Sequence, residues 1–292
     1  MPDGNIVYMG LTADVLAAQL DVETTLDDLP SYQQEAAELS AAARVSHPGV
    51  RDIAYGDDPA ELLDIFAPDG AEGAPVLIDI HGGGWRGGTK NTRSLCAPAV
   101  TDAGILWVPI DYGLAPNYTI EQIVDQVRSA VAWVYKNIAQ YCGDPERIYV
   151  SGNSAGGHLT GAILMPGWHG DYGLTEKVIK GACAMSGIFD MQALVHASYG
   201  YNDQLGMDMD TARIYSPLFH LPPAGCPLIV AVGEPEPDEF RRQSKLYYEA
   251  WKSGDFKTTE IIVPEAHHFV MSRQLSMPES EVYKAVTGMM LK

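Results

Sequence analysis

The chain has 292 residues, of which 46% are hydrophobic and 20% charged, so its composition rules out a disordered chain and supports a core that needs no disulfide or metal. Aspartate and glutamate number 38 against 19 lysines and arginines, which leaves a net charge of −19. Such a surface repels phosphate backbones and anionic lipids, and it argues against a nucleic-acid or membrane-surface role.

The cysteines and the N-terminal residues bear on the cell compartment. Cys96, Cys142, Cys183 and Cys226 lie far apart and show no metal-ligand spacing, so we expect four free thiols and no metal site. Residues 1–5 lack the basic and apolar regions of a signal peptide. No run approaches the ~18 apolar residues of a membrane-spanning helix. The sequence therefore predicts a cytoplasmic protein, and it implies no metal or organic cofactor.

The first 48 residues are predicted to form a helical segment. Apolar residues at helical spacing predict helices over residues 11–45, with a break at Leu29-Pro30. His47-Pro48-Gly49 ends the second helix. From residue 49 onward, the pattern is that of a single α/β domain of the size usual for an enzyme. We therefore divide the chain into a helical N-terminal segment, 1–48, and an α/β domain, 49–292.

In the α/β domain, apolar strands alternate with amphipathic stretches, a pattern typical of βα units and a mainly parallel sheet. Continuous apolar runs favour central strands covered on both faces. Such runs are found at residues 76–80, 105–110, 147–151, 181–185, 228–232 and 258–263. Helices are predicted at residues 120–141, 239–253 and 280–291.

A G-x-S-x-G motif, Gly152 to Gly156, stands between the strand at 147–151 and a helical stretch at 158–164. This strand–turn–helix context is the one that a nucleophile elbow requires. The turn is so sharp that only small residues fit beside the serine. It raises Ser154 Oγ above the sheet edge, and it aims the N–H of Ala155 at a reacting carbonyl. The motif predicts Ser154 as a nucleophile.

A second motif, His81-Gly82-Gly83-Gly84-Trp85, directly follows the strand at 76–80. Consecutive glycines let the backbone approach a ligand and present free N–H donors. A phosphate-binding loop would need a Lys-Ser/Thr pair or a GxGxxG spacing, and both are absent. We expect the N–H groups of Gly83 and Gly84, with that of Ala155, to bind an oxyanion. His81 is expected to hold the loop by hydrogen bonding.

Together these motifs resemble the α/β-hydrolase superfamily, in the branch of hormone-sensitive-lipase-like carboxylesterases and kynurenine formamidase (arylformamidase) enzymes. The string SGNSAGGHL at residues 151–159 resembles the formamidase-type GHSAGGHL more than the GDSAGGNL of the lipase relatives. LDIFAP at 63–68 resembles the LDIYxP strand of both groups. The resemblance covers roughly residues 50–290. It implies an α/β-hydrolase fold, in which helices cover both faces of a mainly parallel central sheet.

The acid of a catalytic triad should follow the strand at 228–232, since the chain order is serine, acid, histidine. The loop at 233–239 carries four carboxylates. The resemblance implies Glu236 as the acid, although the family usually has Asp at that position, and Asp238 is the alternative. Glutamate can serve, because the acid only orients the imidazole and stabilises its charged form.

The histidine of the triad should lie in the segment EAHHF, residues 265–269. Formamidase-type members place the base immediately before the Phe, which implies His268. Lipase-type members read H-x-F, which would select His267. The other motifs favour the formamidase type, so we take His268 as the base and keep His267 as the alternative.

These residues predict a serine hydrolase that cleaves a small carboxylic ester or an N-acyl bond, of the formamide or carbamate type, through an acyl-enzyme. The resemblance implies a carboxylesterase or an arylformamidase, and it does not decide between them. The alternative from another class is a catalytically silent hydrolase-fold protein that binds a small molecule. The expected partner is a small ester or amide, with no nucleic acid and no membrane. A homodimer stays open beside a monomer.

Aromatic residues that follow the motifs are candidates for an apolar acyl or aryl pocket, or for core packing instead. We single out Trp85, Tyr112 and Phe189 as substrate-binding candidates, and Tyr201 belongs to the same set. The N-terminal helices are expected to contribute to a cap over the site. Within that cap we expect substrate access to be shaped by Leu11, Leu16, Leu20 and Leu26.

Overall fold

The structure, a computed structural model, describes residues 5–291, and a β-sheet runs through its centre. Its strands are β1 (Ile6–Tyr8), β2 (Leu11–Thr12), β3 (Val50–Ala54), β4 (Leu62–Ile65), β5 (Ala74–Ile80), β6 (Leu106–Ile110), β7 (Gly143–Asn153), β8 (Ile179–Met185), β9 (Leu228–Gly233) and β10 (Thr258–Val263). Its α-helices are α1 (Ala13–Leu20), α2 (Leu29–Ser46), α3 (Ala97–Asp102), α4 (Ile120–Asn137), α5 (Ala155–Leu164), α6 (Gln192–His196), α7 (Asn202–Leu205), α8 (Met209–Ile214), α9 (Asp238–Ser253), α10 (His268–Met271) and α11 (Glu281–Met290).

Strands β3 to β10 form one sheet in the order β10-β9-β8-β7-β5-β6-β4-β3. The pairings from β10 across to β6 are parallel, whereas β4 runs antiparallel to β6 and β3 antiparallel to β4. The predicted mainly parallel sheet is therefore confirmed, and each of the six predicted strands lies within an observed strand or overlaps one. Strands β3 and β4 extend the sheet at one edge.

Helices cover both faces of this sheet, as predicted. Successive side chains of β5 point to opposite faces, so Ile78 belongs to one core cluster and Leu77 to the other. Helix α4 packs Ile123 and its neighbours into the first cluster, and α11 packs Val282 into the second. Thr119 and Gln122 form a capping box that begins α4.

The register brings the carboxyl ends of the central strands to one edge. Ile80 at the end of β5 is level with Gly152 of β7, and Gly152 is level with Ala184 of β8. The chain segments that follow these three strands therefore emerge side by side. Ligand sites of open α/β sheets lie at this edge.

The N-terminal segment differs from the prediction in two places. Residues 11 and 12 form β2, which pairs with β1, so the first helix begins only at Ala13. Leu29-Pro30 does not break a helix but begins α2, because Asp28 accepts from the N–H of Ser31 and a proline in the first turn needs no donor. The division into 1–48 and 49–292 stays a prediction, and residues 1–4 and 292 lie outside the described residues.

The four cysteines are free, as predicted. No helix within residues 5–291 is long and apolar enough to cross a membrane.

Candidate active site

A cavity of about 720 Å³ opens at the edge where β5 and β7 end, and we call it the main cavity. Ser154 and His268 both line it, together with the glycines of the loop after β5. The N-terminal segment supplies part of the opposite wall, including Tyr32 and Gln33. Residues that are far apart in the chain therefore share one concave site.

Ser154 stands in the turn between β7 and α5 with φ 57° and ψ −122°, a backbone conformation that L residues rarely adopt. The flanking glycines make this turn sterically feasible. A Cβ at Gly156 would lie 2.0 Å from the carbonyl oxygen of Ile80, and one at Gly152 would lie 2.4 Å from the carbonyl oxygen of Gly156. The N–H of Ser154 donates to Met185 O at 2.9 Å, which fastens the turn to β8.

The glycine loop after β5 lies directly against this turn. A Cβ built on Gly82 would be 3.1 Å from Ser154 Cβ. Gly83 and Gly84 have φ values of 117° and 60°, which favour glycine. Within residues 5–291, the N–H groups of Gly83, Gly84 and Ala155 donate to no backbone carbonyl. All three donors therefore remain available to an oxygen atom bound beside Ser154.

A buried carboxylate–imidazole pair contributes its histidine, His268, to the cavity that Ser154 lines. Glu236 Oε2 is 2.6 Å from His268 Nδ1, and both side chains are almost fully buried. The other carboxylate oxygen, Oε1, accepts from Ser186 Oγ at 2.5 Å and from the N–H of Gly233 at 2.8 Å. Among the described residues, His268 Nε2 has no hydrogen-bond partner. The imidazole is thus oriented by Glu236 at one nitrogen and free at the other.

The two sequence alternatives lie elsewhere. Asp238 is the first residue of α9, exposed, and paired with Arg241. The ring of His267 packs edge-on against Tyr32, with centroids 5.5 Å apart, and burial lowers the pKa of His267. The geometry therefore brings together Glu236 and His268.

The three aromatic residues singled out for substrate binding do not line the main cavity. The prediction that they contact the substrate directly is therefore wrong. Trp85 Nε1 donates to His158 Nδ1 at 3.2 Å, and Tyr112 OH donates to the carbonyl of His81 at 2.9 Å. Phe189 stacks on Tyr247 with centroids 4.2 Å apart. Each ring turns into the core beneath the loops.

The expected four leucines do not line the main cavity either. Leu16 and Leu20 are buried in the core, and Leu20 lines a neighbouring cavity of about 240 Å³. The N-terminal contribution to the wall comes instead from Val22, Glu23, Leu29, Tyr32, Gln33 and Ala36.

Sequence reasoning missed several residues of the site. Arg86 and Phe269 line the main cavity and were not predicted, whereas Tyr201, which also lines it, was one of the aromatic candidates. The Arg86 guanidinium lies 5.2 Å from the centre of the Tyr201 ring. Arg86 directly follows the HGGGW string, and Phe269 follows His268, so adjacency to the motifs was the available signal.

A buried ion pair supports the floor of the site. Arg93 Nε is 2.5 Å from Asp79 Oδ2, and the Arg93 guanidinium also donates to the carbonyl of Ser272. Ser151 Oγ donates to Asp79 Oδ1 at 2.9 Å. Strands β5 and β7 are thereby linked to the segment that follows His268.

Several known proteins resemble this chain in sequence. The BD-FAE family model matches residues 63–250. Kynurenine formamidase of Danio rerio is 33% identical over 230 residues, which cover 77% of this chain and 76% of that protein. Esterase LipQ of Mycobacterium tuberculosis is 30% identical over 268 residues, which cover 81% of this chain and 63% of that protein.

Among solved structures, a proposed thioesterase from Silicibacter sp. tm1040 superposes with a TM-score of 0.81 at 25% identity. The superposition covers 96% of this chain and 100% of that chain. The expected resemblance and fold are confirmed. The chain belongs to the BD-FAE family, within the α/β-hydrolase superfamily, and is a hydrolase.

Proposed function

We propose that the protein hydrolyses small carboxylic esters and N-acyl bonds through an acyl-enzyme on Ser154, with His268 as the base and Glu236 as its acid partner. One observation carries this proposal. Glu236 Oε2 is 2.6 Å from His268 Nδ1, while the unpartnered Nε2 belongs to a ring that lines the same cavity as Ser154.

The first half of the reaction forms the acyl-enzyme. His268 Nε2 takes the proton of Ser154 as Oγ attacks the substrate carbonyl, and anionic Glu236 stabilises the imidazolium. The N–H groups of Gly83, Gly84 and Ala155 donate to the oxyanion, each contributing about 3–4 kcal/mol in the transition state. The imidazolium then returns the proton to the leaving oxygen or nitrogen. Water attacks the acyl-enzyme by the same route and frees Ser154.

The chemistry of the cavity wall favours small aryl or short acyl substrates. Tyr32, Tyr201 and Phe269 supply aromatic surface, and Leu29 supplies aliphatic surface. A pocket of this kind binds through apolar contact with a few polar anchors. The two curated relatives, a formamidase and an esterase, support both amide and ester cleavage. A silent binding protein would be expected to lack the serine or the histidine, and both line the cavity.

The test compares p-nitrophenyl acetate, p-nitrophenyl butyrate and N-formylkynurenine as substrates of the purified protein and of Ser154→Ala. Removal of the nucleophile should lower kcat by about 10⁴-fold or more on every substrate that the protein cleaves. Ser253→Ala, at the exposed end of α9, is the matched control and should keep full activity.

A fluorophosphonate should label the unmodified protein and not Ser154→Ala. Turnover of the esters alone would define a carboxylesterase, and rapid formamide cleavage would define an arylformamidase. Absence of turnover on all three substrates, together with absence of labelling, would overturn the proposal. The compartment, the lack of a cofactor and the oligomeric state stay predictions from the sequence.

A further inference from the structure

Ser186, which directly follows β8, carries a buried hydroxyl that no step of the proposed mechanism uses. Its Oγ donates to Glu236 Oε1 at 2.5 Å, and the N–H of Gly233 donates to the same oxygen at 2.8 Å. Glu236 Oε2 is the oxygen that contacts His268. Ser186 has no exposed surface and Glu236 has almost none, so water does not replace this hydroxyl.

The hydroxyl restrains the one soft torsion of the glutamate. Rotation about the terminal bond of a glutamate side chain is broad, so a carboxylate held at one oxygen only could swing away from its partner. Hydrogen bonds to a charged acceptor are stronger than neutral ones. With two donors on Oε1, Glu236 keeps Oε2 aimed at His268 Nδ1.

Ser186 holds this place in a strained backbone conformation. Its φ is 48°, in the left-handed region that favours glycine. A non-glycine residue in this conformation lowers the stability of the fold. Such residues are found at sites where the side chain has a function that glycine cannot provide. A glycine at this position would relieve the strain and lose only the hydroxymethyl group.

The same strand end also holds the nucleophile. The carbonyl of Met185 accepts from the N–H of Ser154 at 2.9 Å, and the N–H of Ser186 donates to Ala231 O in β9 at 2.8 Å. Met185 and Ser186 are consecutive in the chain. Together they link the turn at Ser154, strand β9 and the carboxylate of Glu236.

We propose that Ser186 is a positioning residue, whose hydroxyl fixes Glu236 so that His268 presents Nε2 to Ser154. This inference rests on the proposed function, because it assigns Ser186 a part in the same relay. Ser186 touches neither substrate nor reacting atoms, and its effect passes through Glu236.

The test measures Ser186→Ala and Ser186→Gly on whichever ester the protein cleaves. Loss of one hydrogen bond to a charged group predicts a kcat lower by roughly 10–100-fold, with KM within about twofold of the original value. The rate of fluorophosphonate labelling should fall by the same factor as kcat. Ser186→Gly should unfold at a higher temperature than Ser186→Ala, because both variants lose the same buried hydroxyl and only glycine suits φ 48°.

Ser244→Ala is the matched control. Ser244 is a buried serine of α9 whose hydroxyl has no hydrogen-bond partner among the described residues, so its removal should leave kcat unchanged. A merely structural role for Ser186 predicts that activity follows thermal stability, so Ser186→Gly would then be more active than Ser186→Ala, whereas a positioning role predicts the same loss of kcat in both. Unchanged kcat and labelling rate in Ser186→Gly, or a change in KM alone, would overturn the inference.

The same experiment keeps the two proposals apart. Inactive Ser154→Ala beside fully active Ser186→Gly rejects the role of Ser186 and leaves the proposed function intact. Turnover by Ser154→Ala rejects the proposed function itself.

Discussion

At the scale of single residues, the close approach of two loops brings Glu236 and His268 together. A Cβ on Gly233 would lie 1.7 Å from the carbonyl oxygen of Ala266, so the loop after β9 and the loop after β10 touch through backbone. The N–H of Glu236 donates to Gly233 O at 3.2 Å, which turns the acid toward that contact. Across these two loops Glu236 Oε2 reaches His268 Nδ1 at 2.6 Å.

Paired substitutions test the roles of Glu236 and His268. Glu236→Gln should lower kcat by about 10³–10⁴-fold, because an amide can donate to the imidazole and favour the wrong tautomer. His268→Asn removes the base and should lower kcat by at least as much. Steady-state kinetics on p-nitrophenyl acetate measures both effects.

Asp238→Asn and His267→Asn are the matched controls for those two variants. Asp238 is exposed and His267 contacts Tyr32 rather than Glu236, so each change should leave kcat within about threefold. A loss of kcat in Asp238→Asn as large as that in Glu236→Gln would identify Asp238 as the acid. A loss in His267→Asn as large as that in His268→Asn would identify His267 as the base.

At the scale of elements, helix α2 is both a wall of the main cavity and a support for the segment that carries His268. Tyr32 OH donates to the carbonyl of Phe269 at 2.9 Å. The Arg273 guanidinium lies 3.6 Å from the centre of the Tyr32 ring and is 2.6 Å from Glu35 Oε2. The N-terminal segment therefore helps to hold the segment after His268 in place and forms part of the cavity wall.

Gln33→Trp should narrow the main cavity, because Gln33 lines it from α2 and is otherwise exposed. We expect KM for p-nitrophenyl butyrate to rise about tenfold, equivalent to about 1.4 kcal/mol, with a smaller change for the acetate. The ratio of the two KM values is the measurement.

Gln34→Trp adds the same bulk at the next position of α2. Gln34 contacts Glu38 along the helix and does not line the main cavity. Gln34→Trp should therefore leave the KM values for both p-nitrophenyl esters unchanged. Equal effects of the two tryptophans would show that α2 does not set the acyl pocket.

At the scale of the whole molecule, a buried neutral histidine ties the glycine loop to the rest of the fold. His158 of α5 accepts from Trp85 Nε1 and contacts Tyr215 O at 2.7 Å through Nε2. Burial lowers the pKa of His158 to about 4. An unfolded chain binds that proton near pH 6.5, so the unfolded state gains it first as the pH falls.

The free energy of unfolding should therefore decrease as the pH falls from about 6.5 toward 4. Between pH 7 and pH 5 the loss due to His158 should be about 2 kcal/mol. Urea unfolding at the two pH values, for the unmodified protein and for His158→Gln, measures it. The variant should lose about 2 kcal/mol less over this interval, and equal losses in both proteins would contradict the assignment.

Local chemistry in the sequence was enough for the main elements of the fold. Strands β5, β6 and β9 are buried along their whole length, and β10 begins and ends at the predicted residues. The elbow around Ser154 and the glycine loop could be recognised because their backbone geometry tolerates only small residues. The helix prediction failed at Leu11, because this residue pairs with Tyr8 in a short antiparallel hairpin, and helical periodicity does not report such pairing.

The sequence by itself therefore determined the fold class, the position of the serine turn and the two short segments that hold an acid and a histidine. Only the tertiary structure decided which carboxylate meets which imidazole, since that depends on the contact between Gly233 and Ala266 across two loops. It also decided that Trp85 packs inward while Tyr201 faces the main cavity. The physical reason is that the orientation of a side chain depends on neighbours that are distant in the chain, which no local pattern specifies.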